Sequence, residues 1–117
     1  MDINYLTEVK KYPNLQKCKV AIIGMGYVGL PLAVEIAKIK TCKITNKIIE
    51  RDVIGFDTSK KRLSEIKNGY DWTGEISRDE LLEIKFYDLT NDINIIAKAD
   101  VFLITVPTPI DKLKKFI

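Results

Sequence analysis

Three glycines constrain this chain more tightly than any other feature. They stand at Gly24, Gly26 and Gly29, in the spacing G-x-G-x-x-G. A short apolar run, Val20 to Ile23, leads into them, and a helical pattern begins directly behind them. In that context each glycine has its own task. The first permits a sharp strand-to-helix turn, the second lets a ligand approach the backbone, and the third lets the helix pack against the strand. The helix N-terminus then offers unpaired N–H groups and the positive end of its dipole to an anion. The alternative is a tight turn in some other α/β protein. The strand before and the helix after favour a diphosphate, hence a dinucleotide, with NAD as the first candidate.

The rest of the chain repeats the same alternation. A helix is predicted over Val28–Lys38, with Leu32, Ile36 and Ile39 at helical spacing, Ala33 and Ala37 beside them, and Pro31 in its first turn. Val53–Phe56 reads as a second strand ending at Asp57, and Ser59–Asn68 as a second helix closed by Gly69. Ser77 followed by Glu80 is the capping box of a short helix. Lys85–Leu89 is a weaker strand and Asp92–Lys98 a short helix. Val101–Val106 is continuously apolar and reads as a buried strand, stopped by Pro107 and Pro109. Strands alternating with helices predict an α/β fold, a Rossmann-type parallel sheet of about four strands in the order 3-2-1-4 with flanking helices. Since the complete fold has six strands, the expectation is a partial domain. Its boundaries read as an arm over 1–17, the Rossmann domain over 18–111 and a basic tail over 112–117. The outer edge of the last strand is expected to be apolar and unpaired, which invites a homodimer.

Composition narrows the chemistry. With 117 residues this is one small domain. Its 19 Lys and Arg against 16 Asp and Glu leave a net charge of +3. That charge is too weak and too interspersed to predict a nucleic-acid partner. There is no histidine, which excludes Ser-His and Cys-His catalysis and most transition-metal sites within these residues. Cys18 and Cys42 are not spaced as a metal or redox pair. No apolar stretch is long enough to span a membrane and no targeting segment is visible, so the expected location is cytoplasmic.

Asp57 is the second element of the site. An acid at the end of the second strand can accept both ribose hydroxyls of an adenosine, and it repels a 2′-phosphate, so NAD is favoured over NADP. Alternatively Asp57, or Ser59, caps the following helix. Asp57 lies 28 positions after Gly29, against the usual spacing of about 20. The surplus is in Lys40–Arg51, to be absorbed by a longer helix or a surface loop. Trp72, the only tryptophan, is read as a hydrophobic cover over a loop or as a contact for a neighbouring domain. Glu75 and Asp79 read as surface carboxylates at a helix start rather than a catalytic pair.

The stretches GMGYVGLPLA, VIGFD, NGYDWTGEIS and DVFLITVPTPID together resemble the N-terminal NAD-binding part of the UDP-glucose/GDP-mannose dehydrogenase family, over roughly Lys17 to Asp111. The pair NGYDWTGEIS and VPTPID is most similar to the branch that oxidises UDP-N-acetylhexosamines. The resemblance implies a phosphate loop of Gly24, Met25, Gly26, Tyr27, Val28 and Gly29, with Asp57 on the adenosine ribose. It also places Arg62 near that ribose, and Pro107 and Thr108 beside the cofactor. On their own pattern Arg62 is equally an exposed helix residue and Pro107–Pro109 a rigid turn. Members of the family oxidise the sugar C6 alcohol to a carboxylate in two NAD-dependent steps through a cysteine thioester, supplying uronic acids for surface polysaccharide. That cysteine and its helpers belong to later domains, which also contact the nucleotide-sugar substrate. Neither Cys18 nor Cys42 matches the nucleophile, so no catalytic residue carries over and the chain alone is expected to be inactive. The alternatives are a non-catalytic NAD-binding module and a methyltransferase using a similar glycine loop. Tyr27, Val28, Leu30 and Pro31 argue against the last.

Overall fold

The computed structural model describes residues 12–106. Four strands, β1 (Lys17–Ile23), β2 (Glu50–Phe56), β3 (Asp88–Thr90) and β4 (Val101–Ile104), form one parallel sheet. Their spatial order is β3-β2-β1-β4, as the alternation predicts. Val20 in β1 stands opposite Val53 on one side and Val101 on the other. The helices are α1 (Gly29–Lys38), α2 (Lys60–Lys67), α3 (Arg78–Glu83) and α4 (Ile93–Ile96).

Strand pleating divides the apolar residues between two faces. Val20, Ile22 and Val53 point to the face covered by α1, α2 and α3, where the main core lies. Ala21 and Ile54 point to the other face and pack with Ile96. The buried stripe of α1 is Leu30, Ala33, Val34 and Ala37. Leu32 and Ile36 only flank that core, and Ile39 lies outside the helix.

Helix ends follow local chemistry. Ser59 caps α2 by accepting a hydrogen bond from the Arg62 N–H at 3.1 Å. Gly69, at φ +80°, closes α2: its N–H donates to Ile66 O at 3.0 Å, and that of Tyr70 to Glu65 O at 2.8 Å. These two bonds define a Schellman motif. Ser77 caps α3 by accepting from the Glu80 N–H, but the Glu80 carboxylate accepts from Lys38 Nζ at 2.8 Å instead of completing the capping box.

Three sequence expectations are corrected and one open alternative is decided. β1 begins two residues early, at Lys17. The weak strand is Asp88–Thr90: Lys85 and Phe86 precede the segment that reaches β2, and Tyr87 only leads into it, its N–H donating to Val53 O at 2.8 Å. β4 ends at Ile104 and is not buried on both faces: Phe102 is 48% and Ile104 73% exposed, since among the described residues β4 is the edge strand and the short α4, which packs on that face with Ala21 and Ile54, leaves these two side chains open. Of the two alternatives for the surplus before Asp57, the surface loop is the one observed. A bridge between Thr41 and Ile48 closes it, with Asn46 in the left-handed region at φ 58°.

Candidate dinucleotide site

The turn from β1 into α1 forms the floor of a cleft at the C-terminal ends of the strands. Gly24 has φ +99°, a conformation that side chains disfavour. Its N–H donates to Phe56 O at 2.8 Å, tying the turn to β2. At Gly29 a Cβ would stand 1.6 Å from the Gly24 carbonyl oxygen, so only glycine allows α1 to start this close to the strand. At Gly26 a Cβ would meet nothing within 4 Å. Nothing in the described protein therefore demands glycine there, and the open space is where a ligand would approach the backbone. Val28, at the N-cap of α1, provides no side-chain cap, and the first turn holds no acid. An anion thus faces a helix N-terminus that has no side-chain cap and no acid in its own first turn.

Asp57 sits at the rim. Its Oδ2 accepts from the Met25 N–H and its Oδ1 from the Ser59 N–H, both at 2.9 Å. One backbone donor on each oxygen leaves acceptor capacity on both for ligand hydroxyls. Ser59, not Asp57, is the helix cap. Met25 turns its side chain into the core, against Gly55 and Leu89, and offers the site only its backbone.

Arg62 is not an exposed helix arginine. It is 5% exposed, and its Nε donates to Met25 O at 2.6 Å. Its Nη2 lies 3.0 Å from Asp71 Oδ1, close enough for an ion pair though not aligned as a hydrogen bond. Nη1 finds no hydrogen-bond partner among the described residues. Asp71, whose side chain is fully buried, also accepts from the Thr73 hydroxyl and from the backbone N–H groups of Thr73, Glu75 and Ile76. Burial pushes its carboxyl up, but these hydrogen bonds and Arg62 outweigh it and hold the pKa below the ordinary value. Arg62 and Asp71 thereby clamp the 71–76 loop to the carbonyl side of the glycine turn.

The cleft has a volume of about 690 Å³ and is lined by Gly24, Gly26, Tyr27 and Val28, with Asp57, Trp72, Thr105 and Val106. Of the expected residues, Gly29 and Arg62 lie beneath it, while Pro107 and Thr108 fall outside the described residues. Three lining residues escaped sequence reasoning. Thr105 holds its hydroxyl 2.7 Å from Gly24 O and 3.0 Å from Ile23 O, pinning the end of β4 to the turn. Its signal was a polar residue at the end of an apolar run. Val106 follows it, and Trp72 arrives from a distant loop with no periodic signal.

The family model described as the UDP-glucose/GDP-mannose dehydrogenase family NAD-binding domain matches residues 18–116. The chain belongs to this dehydrogenase family. Its cofactor is NAD. A UDP-N-acetyl-D-glucosamine 6-dehydrogenase of Salmonella typhi is 44% identical over 102 residues, which is 87% of this chain and 21% of that protein. Protein CapL of Staphylococcus aureus is 38% identical over 96 residues, 82% of this chain and 20% of that protein. A ternary complex of GDP-mannose dehydrogenase from Pseudomonas aeruginosa matches with TM-score 0.64 and 25% identity, over 84% of this chain and 21% of that one. The chain therefore spans about a fifth of the length of the relatives it matches. No helix among the described residues is long and apolar enough to cross a membrane.

Proposed function

We propose that this chain is the NAD-binding part of a nucleotide-sugar 6-dehydrogenase that oxidises the C6 alcohol of a UDP-N-acetylhexosamine to the uronic acid for surface polysaccharide. The observation that carries the site is the open space over Gly26, set between an uncapped helix N-terminus and the Asp57 carboxylate. When bound, NAD supplies the hydride acceptor. The backbone of Gly26, Tyr27 and Val28 holds the diphosphate, where N–H groups and the helix dipole complement its charge. Asp57 accepts from the adenosine ribose hydroxyls and repels a 2′-phosphate. Arg62 holds Met25 O, and so the loop's shape, from beneath. Pro107 and Thr108, outside the described residues, are assigned to the cofactor on the family resemblance alone.

We take the NAD-binding unit to run over 18–111, between an arm and a basic tail, with β1 starting one residue before it at Lys17. The substrate is bound and oxidised by parts of the whole protein beyond these residues, so the chain alone turns nothing over. The reading includes a cytoplasmic location and no nucleic-acid partner, supported by the interspersed charge. It also includes association of two chains along β4, supported by exposed Phe102 and Ile104 on that edge strand; sedimentation of a pure monomer at high concentration would count against this.

Calorimetric titration of the chain with NAD and NADP, alongside Asp57→Ala, tests the site. NAD should bind, with NADP and the variant each weaker by about tenfold or more, the loss of one or two charge-assisted hydrogen bonds. Equal binding of NAD by the variant would overturn the assignment of Asp57.

A further inference from the structure

We propose that Trp72 is a binding residue for the adenosine-diphosphate half of the dinucleotide, forming a wall of the cleft that Asp57 also lines. The proposal rests on the reading of the glycine cleft as the NAD site. Trp72 is not a cover over its own loop, because 53% of its surface is exposed. It lines the same cleft as Gly26 and Asp57. Its ring centroid is 5.5 Å from that of Tyr27, at an interplanar angle of 76°, so it rests edge-to-face on the phosphate loop itself. The Arg62 guanidinium lies 5.6 Å from the ring centroid and supports it from the buried side.

An exposed indole is ordinarily free to turn. Here the residue before it is the most heavily bonded carboxylate of the described chain. Asp71 accepts from Thr73, Glu75 and Ile76 and pairs with Arg62, which in turn holds Met25 O. The ring is thus placed before any ligand arrives, at little further cost in side-chain entropy. A large apolar surface left exposed yet fixed in position, on the wall of a cleft with a carboxylate at its rim, suits a planar ring joined to a ribose. Asp57 places the adenosine in this cleft and the Tyr27 loop places the diphosphate, so the half nearest Trp72 is adenosine diphosphate. The positive guanidinium behind the indole adds charge complementarity to that half.

Because Trp72 is the only tryptophan of the chain, its emission reports on the cleft directly. The experiment titrates the 117-residue chain with NAD, ADP and nicotinamide mononucleotide, following fluorescence and, in parallel, heat. Trp72→Phe and Trp72→Leu are checked for folding by circular dichroism and titrated by heat alone. NAD and ADP should quench the wild-type emission saturably, and the mononucleotide should not. Trp72→Leu should weaken NAD about tenfold, within the range for loss of an aromatic platform under a base, and Trp72→Phe much less. Quenching by the mononucleotide but not by ADP would overturn the assignment to the adenosine half. NAD binding by heat that Asp57→Ala abolishes, but that neither perturbs the emission nor weakens in Trp72→Leu, would overturn this proposal and leave the site standing. Absence of NAD binding to the wild type would overturn both.

Discussion

Replacing Gly26 and Gly29 in turn by alanine separates a glycine kept for the ligand from one kept for the fold. At Gly29 the new Cβ would lie 1.6 Å from Gly24 O and 2.5 Å from Thr105 Oγ1. Real Cβ contacts do not fall below 3.0 Å, so the start of α1 or the Gly24 turn must move by about 1.4 Å. Both are backbone, and the turn is further tied to Phe56 O and Thr105, so neither yields cheaply. Overpacking of this kind costs about 3 kcal/mol. In a domain of this size that lowers Tm by about 10–15 °C. At Gly26 the same methyl meets nothing within 4 Å, and φ is not in the left-handed region. Gly26→Ala should therefore stay within about 0.5 kcal/mol of the wild type, or gain slightly from a less flexible unfolded chain. Its NAD affinity should nonetheless fall at least tenfold, because the methyl occupies the space over the helix N-terminus. Thermal unfolding by circular dichroism reads the first quantity and calorimetric titration the second. A Gly26→Ala protein that binds NAD as well as the wild type, or a Gly29→Ala protein of unchanged Tm, would refute the division of roles.

The remaining expectations concern the supports of the site. The Asp71 carboxyl is held below its ordinary pKa, so it contributes stability above the unfolded value of about 3.9 and loses it as pH falls through the folded value. The difference in urea midpoint between wild type and Asp71→Asn should be full at neutral pH and shrink below about pH 4; a constant difference would argue that packing alone matters. Ser59→Ala removes the cap on the Arg62 N–H and should cost about 1 kcal/mol in chemical denaturation. The Cys42 thiol is lowered chiefly by hydrogen bonds from Thr45, whereas Cys18 is buried. A thiol reagent monitored by peptide mass should modify Cys42 first, and Thr45→Val should slow it; preferential labelling of Cys18 would contradict the structure.

Local sequence settled those features whose cause is local. The glycine spacing dictated a strand-turn-helix, and Ser59, Gly69 and Ser77 marked helix ends because caps act over three or four residues. The parallel order β3-β2-β1-β4 followed from alternation, since parallel strands need crossover helices. Asp57 was legible as the acid ending β2. What tertiary structure decided depends on which segments meet. Arg62 looked like any charged residue of a polar helix, and only the return of the 71–76 loop buries it beneath Met25 O. Trp72 carries no periodic signal, and its place on the cleft wall comes from the Asp71 knot that turns its loop toward Tyr27. β4 read as a buried strand because its residues are apolar, yet burial is a property of neighbours: at the edge of the described sheet, Phe102 and Ile104 stay exposed. Sequence pattern specifies what each segment can form, while contacts between residues tens of positions apart decide which side chains are walls, supports or open surface.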